Sequence, residues 1–194
     1  ITSFSAVDYG FLVSYAKKLK ISGLSLGANV KVVHRIIGDF ASSWGFGLDA
    51  GVIYRKGNWR FAAMARDLTS TYNAWNYNLD EATQEVFIAT GNELPENGLE
   101  ITLPRFIFGA SYKKELGKFA LLGEINAALT TDGQRNVLIS ADPLSIDPVM
   151  GIEASYLNMI FLRAGIGNIQ KIKTFQGAEE YSVQPNMGVG LRLG

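Results

Sequence analysis

Between Gly45 and Leu68 the chain alternates with a period of two. Phe46, Leu48, Ala50, Val52 and Tyr54 fall on one side; Gly47, Asp49, Gly51, Ile53 and Arg55 fall on the other. A Lys56-Gly57-Asn58 turn follows, and Trp59, Phe61, Ala63 and Ala65 then oppose Arg60, Ala62, Met64 and Arg66. This alternation predicts two strands, and the Gly-containing turn between them predicts a hairpin. One side is uncharged and tipped with aromatics. The other mixes charges, glycines and a few apolar groups.

The same division recurs along the chain. The first strand, roughly Phe4 to Leu19, sets Tyr9, Phe11, Val13 and Tyr15 against Asp8, Gly10 and Ser14. Others place Leu24 to Val32 against Lys31 and Asn29, Phe106 to Tyr112 against Lys113, and Phe119 to Ala127 against Glu124. Ile152 to Tyr156 opposes Glu153, Ile160 to Ile166 opposes Arg163, and Met187 to Leu193 opposes Arg192. Every charge within these segments keeps to one parity. A lipid-facing Arg or Lys at the bilayer midplane costs about 2–4 kcal/mol, so the pattern predicts a transmembrane antiparallel up-and-down β-barrel with lipid outside and a mixed lumen. A soluble sandwich also hides one apolar face, and the connections favour the barrel. Tight turns of about two to five residues are expected after strands one, three, five and seven, with longer loops after strands two, four, six and eight. Short periplasmic turns and long extracellular loops are the outer-membrane pattern. About nine strands are visible. That odd count, with the first strand entering from outside, predicts an incomplete piece of a larger barrel, with residues 1–194 all belonging to one barrel domain.

Composition adds exclusions. The 194 residues carry 18 basic and 18 acidic side chains, so no basic excess marks a nucleic-acid footprint. Cysteine is absent, which removes disulfides and thiol catalysis. No apolar run reaches the 18 or so residues of a membrane-spanning helix. The opening ITSFSAVDYG lacks Met and a basic n-region, so an exported barrel is expected to be represented here by a mature chain or a fragment.

The longest connection, residues 70–104, is expected to be a long extracellular loop with content of its own. Asn78 followed by Glu81 predicts a capping box opening a short helix over LDEATQEVFIA, with Gly91 ending it. Leu79, Ala82, Val86 and Phe87 are expected to pack down. Ahead of it lies TSTYNAWNYN. Its Tyr72, Trp75 and Tyr77, with Phe87, are candidate partner-binding anchors or else the loop's own small core.

Other chemistry is thin. His34 is the only histidine, too little for a metal site, and it reads as an interfacial side chain. The phrases GIGNI (Gly165–Ile169) and GVGLRLG (188–194) lie inside strands and open no helix, so the phosphate-loop logic fails. Asp132-Gly133 reads as a turn, lacking the further acidic positions of a calcium loop. Asp49, Glu124 and Glu153, with Arg55, Arg60, Arg66 and Arg163, read as a structural charge network in the lumen. No cofactor, metal or catalytic residue is indicated, and no enzyme is expected. Leu12, Ile53, Ile107, Leu122 and Phe161 on the lumen parity predict a narrow or plugged interior.

The phrases DFASSWGFGLDAGVIYR, ARDLTSTYNAWNYN, LPRFIFGASY and SIDPVMGIEASYLNMIFLRAGIGN, in that order, resemble the PorV/PorQ family of outer-membrane proteins. TSTYNAWNYN and FLRAGIGN carry most of the resemblance, which is closer to PorV. It implies a FadL-like barrel of fourteen strands in a gram-negative outer membrane, serving type IX protein secretion. It further implies that the extracellular loops bind secreted cargo by its C-terminal signal domain, or translocon and attachment partners. The alternative expectation is a FadL-like transporter of hydrophobic small molecules.

Overall fold

A computed structural model describes residues 5–173 and 179–193. Phe4, where the first strand was expected to begin, lies outside them. Twelve antiparallel strands and one short helix form in the order β1 (Ala6–Lys18), β2 (Leu24–Ile37), β3 (Ala41–Lys56), β4 (Trp59–Arg66), β5 (Thr71–Tyr77), α1 (Glu81–Ala89), β6 (Gly98–Thr102), β7 (Arg105–Leu116), β8 (Phe119–Thr130), β9 (Ile139–Ser140), β10 (Ser145–Tyr156), β11 (Ile160–Lys173) and β12 (Glu179–Leu191). The hydrogen-bonded path is β1-β2-β3-β4-β7-β8-β10-β11-β12, with β5 on β3, β6 on β5 and β9 on β10. That path holds the nine strands expected, and the other three fall in segments expected to be loops.

The described residues form two compact units, 5–15, 28–49 and 67–103 in one, 16–27, 50–66, 104–173 and 179–193 in the other. In the first, the leading half of β3 pairs with β5 from Ala41↔Tyr77 to Phe46↔Tyr72, and β5 pairs with β6. Burial here is inverted. Ser43, Asp49, Thr71 and Asn73 are buried, whereas Trp44, Phe46, Tyr72, Leu99 and Ile101 are exposed. Glycine permits the close packing on the polar side: a Cβ on Gly47 would collide with the Thr71 hydroxyl and the Lys31 stem.

In the second unit, directly opposed residues share a face, and the register carries the apolar face across the sheet without a slip as far as the β11–β12 irregularity between Gly167 and Gln170. One row runs Tyr54↔Phe61↔Ala110↔Ile125↔Met150↔Ile166. The next runs Trp59↔Tyr112↔Gly123↔Ile152↔Ala164↔Met187. Side chains of this face are exposed: Ile152 by 68%, Leu162 by 57% and Val189 by 72%. The buried groups are Ser111, Thr130, Ser145 and Ser155, with Ala120 and Ala128. Among the described residues only alanines form a buried hydrophobic core. A water-soluble domain gains about 1.5–3 kcal/mol by burying each large apolar side chain; here those side chains are on the outside.

Several sequence expectations need correction. The connection after the second strand is short, because β2 continues to Ile37 and β3 starts at Ala41 with Gly38 at φ 52 between them. The expected strand lost its alternation at Val32-Val33-His34, and neighbours in the sheet rather than parity keep it extended. The longer connection after the eighth strand shrinks to residues 174–178, which lie outside the described ones. Segment 70–104 is no open loop but the β5–α1–β6 arch. The N-cap of α1 is Asp80, not Asn78: Asp80 Oδ1 accepts from the Thr83 N–H at 2.9 Å. Gly91, at φ 72, ends the helix as expected, with the Asn92 N–H bonded to Phe87 O and the Gly91 N–H to Ile88 O. Leu79 and Phe87 are half-buried, but Ala82 and Val86 are exposed.

Candidate functional site

The best-built cluster on the polar side of the first unit lies where β3 turns from one partner to another. Lys31 extends from β2 between two carboxylates, its Nζ 3.0 Å from Asp49 Oδ1 and 2.6 Å from Asp67 Oδ1. Asp49, 6% exposed, also accepts the Asp67 N–H at 2.9 Å and faces the Asn29 amide. The Thr71 hydroxyl donates to Asp67, and the Ser14 hydroxyl to Asn29. Asp67 can fold back this way because it adopts φ 54, and the Ser70 N–H then closes on Asp67 O at 2.7 Å. Each charged group in the cluster has a partner. Its chemistry is that of a clasp, which holds β2, β3 and the start of the arch together.

Only part of the expected charge network assembles. Arg163 Nε lies 2.6 Å from Glu153 Oε2 across the β10–β11 ladder. Arg60 and Glu124 both stand opposite Ser111, which separates them by two strand spacings, and Glu124 instead accepts from Asn126 at 2.7 Å. Arg55 faces Arg60, and Arg66 faces Arg105, as like charges. Among the described residues none of Arg55, Arg60 or Arg66 forms an ion pair. Asp49 belongs to the clasp, with Lys31 and Asp67, which sequence reasoning missed. Lys31 was on the lumen parity, but nothing local linked it to an acid 36 positions along the chain.

The four aromatic candidates do not form one patch. Trp75 and Tyr77 share the polar side of β5, rings 6.0 Å apart, and the Trp75 indole N–H donates to Glu100 Oε2 at 2.7 Å. Tyr72 is on the opposite, apolar side, opposed to Phe46 and Ile101. Phe87 sits on α1. His34 stacks on Trp44 at 4.0 Å and on Tyr9 at 6.3 Å, with Nδ1 2.9 Å from Ser43 O. It is a member of an aromatic ladder. In the second unit Trp59, Phe61 and Tyr112 cluster beside the tight turns, as do Phe119 and Tyr156.

Charge divides between the connections. Residues 67–104 contain seven carboxylates and neither Lys nor Arg, while 16–20, 55–60 and 113–118 hold nine basic residues against Glu115 alone. Near the second long connection, Arg135 grips both oxygens of Asp132, and that hydrogen bonding holds the Asp132 carboxyl below its usual range. No metal-binding group of His, Asp and Glu occurs among the described residues. Comparison with family models, with curated proteins and with solved structures found no match.

Proposed function

We propose that this chain is part of a FadL-like transmembrane β-barrel in a bacterial outer membrane. Its non-enzymatic task is type IX protein secretion, with the β5–α1–β6 arch receiving secreted cargo or a partner subunit. The observation that carries the membrane reading is the inverted burial: an exposed, in-register apolar face, charged only toward the strand ends, spans β4, β7, β8, β10, β11 and β12 while serines and Asp49 are buried. Length supports it. Strands β1, β2, β3, β7, β8, β10, β11 and β12 each run 12 to 16 residues, and about 9–11 tilted residues cross the hydrocarbon core. Aromatic groups beside the turns match the interfacial girdles of such barrels.

The secretion role rests on the family resemblance and on the arch. Six carboxylates without a basic residue over 71–102 suit a partner with a basic face, and exposed Val86 and Ile88 on α1 offer apolar contact beside them. The test is affinity purification from native outer membranes and identification of the co-eluting proteins. Secreted cargo or secretion subunits should co-elute and be lost when Val86→Asp and Ile88→Asp are introduced together. Recovery of lipid or small hydrophobic molecules alone would favour a transporter instead.

A further inference from the structure

We propose that the apolar face of the second unit carries a defined site for one phospholipid with an anionic headgroup, a deduction that rests on the membrane reading above. A hollow of about 620 Å³ is lined by Lys56, Gly57, Asn58, Trp59, Phe61 and Tyr112. Trp59 and Tyr112 also line a second furrow, of about 630 Å³, that continues over Gly123, Ile152, Ala164 and Met187. The two hollows therefore meet at one aromatic pair, whose rings lie 4.9 Å apart.

Gly123 and Ala164 leave the furrow its room between Tyr112, Ile152 and Met187. A Cβ on Gly123 would meet nothing within 4 Å, so the gap is unfilled by neighbours. It follows the Tyr112↔Gly123↔Ile152↔Ala164↔Met187 row over five strands, roughly 19 Å at the usual strand spacing. A row across tilted strands also runs obliquely into the bilayer. An extended acyl chain fits such a track; a folded protein segment, with backbone groups to satisfy, does not.

Charge selects the headgroup. At this edge Lys56, which lines the first hollow, and Lys114, two residues beyond Tyr112 on β7, lie on the apolar parity, opposed to Trp59 and Leu121. On the membrane reading, lysine stems at such an edge lie along the apolar surface and carry their ammonium groups to the interface. The other basic residues of the tight turns add to the same field, and Glu115 is the one acid among those three segments. A phosphate with net negative charge is the group this edge attracts. Trp59, Phe61 and Tyr112 hold the glycerol level, where amphipathic rings settle.

The test uses the protein extracted from its own membrane in mild detergent and offered phosphatidylglycerol and phosphatidylethanolamine with identical chains, with native mass spectrometry of the retained lipid. The unaltered protein should retain phosphatidylglycerol preferentially. Lys56→Gln and Lys114→Gln should each reduce that preference by about fivefold, the ratio equivalent to about 1 kcal/mol per basic residue at an anionic surface. Gly123→Leu, or Ala164→Leu if the first fails to insert, should weaken retention of both lipids equally and leave the preference intact. Equal retention of the two lipids by the unaltered protein would overturn the proposal, as would variants that behave like it, or lipopolysaccharide or a protein held there instead. Such failure in a protein that still needs detergent leaves the membrane reading standing; solubility without detergent would remove both.

Discussion

Lys31 and Asp67 meet at 2.6 Å on the polar side of the sheet, and the same ammonium reaches Asp49 at 3.0 Å. One cation thus balances two nearly buried carboxylates. Lys31→Met leaves those carboxylates facing each other, and breaking a buried pair in this way costs about 3–5 kcal/mol. Equilibrium unfolding in urea from lipid vesicles should show that loss, and adding Asp67→Asn to Lys31→Met should restore part of it. An unchanged midpoint for Lys31→Met would show that the clasp contributes nothing.

The β10–β11 turn stores removable strain. Leu157 and Asn158 adopt φ 51 and 53, the pair of left-handed residues that a two-residue type I′ turn requires. Asparagine tolerates that region, and a leucine there is penalised. Leu157→Gly or Leu157→Asn should stabilise the protein by about 1 kcal/mol, read as a raised unfolding midpoint with the same slope.

The connection between β8 and β10 should respond to acid. Arg135 hydrogen bonds hold the Asp132 carboxyl below its ordinary value of 3.8. A depressed carboxylate contributes order that is complete above the unfolded value and lost as pH falls through the folded one. Protease accessibility of residues 131–144 should therefore rise only below about pH 4, and Asp132→Asn should raise it at neutral pH.

Helix α1 should depend on its cap. Hydrogen bonds from Thr83, side chain and backbone, hold the Asp80 carboxyl low. Asp80→Ala removes the acceptor for the Thr83 N–H, and amide exchange over 81–84 should quicken with no change at 86–89, where the Gly91 cap is independent.

Much of the sheet was legible because alternation is local. Val52, Phe61, Phe108 and Leu162 each declared their face within a few residues, and pairing then had to match uncharged sides across strands. The turns at Gly57, Gly117 and Asn158 were legible for the same reason. β5 was not, since Thr71, Asn73, Trp75 and Tyr77 make a polar face and the opposing Tyr72, Ala74 and Asn76 give only weak apolar contrast. Only its pairing with β3 and β6 fixes it as a strand. The charge network was legible at Glu153 and Arg163, which face each other directly, and failed at Arg60 and Glu124, where Ser111 intervenes. The Lys31 clasp depends on how far apart strands fold back, which no spacing in the chain encodes.

The central claim is that lipid covers the uncharged side of these strands. Since the sequence has no cysteine, single spin labels can be introduced at Ile152→Cys, Leu162→Cys and Ala164→Cys, and at Glu153→Cys and Arg163→Cys as the opposite face, in protein reconstituted in vesicles. Collision with oxygen, which concentrates in the bilayer, should be high and collision with a water-soluble nickel chelate low at positions 152, 162 and 164. At 153 and 163 the order should reverse. Strong nickel collision at 152, 162 and 164, equal to that at 153 and 163, would contradict the account.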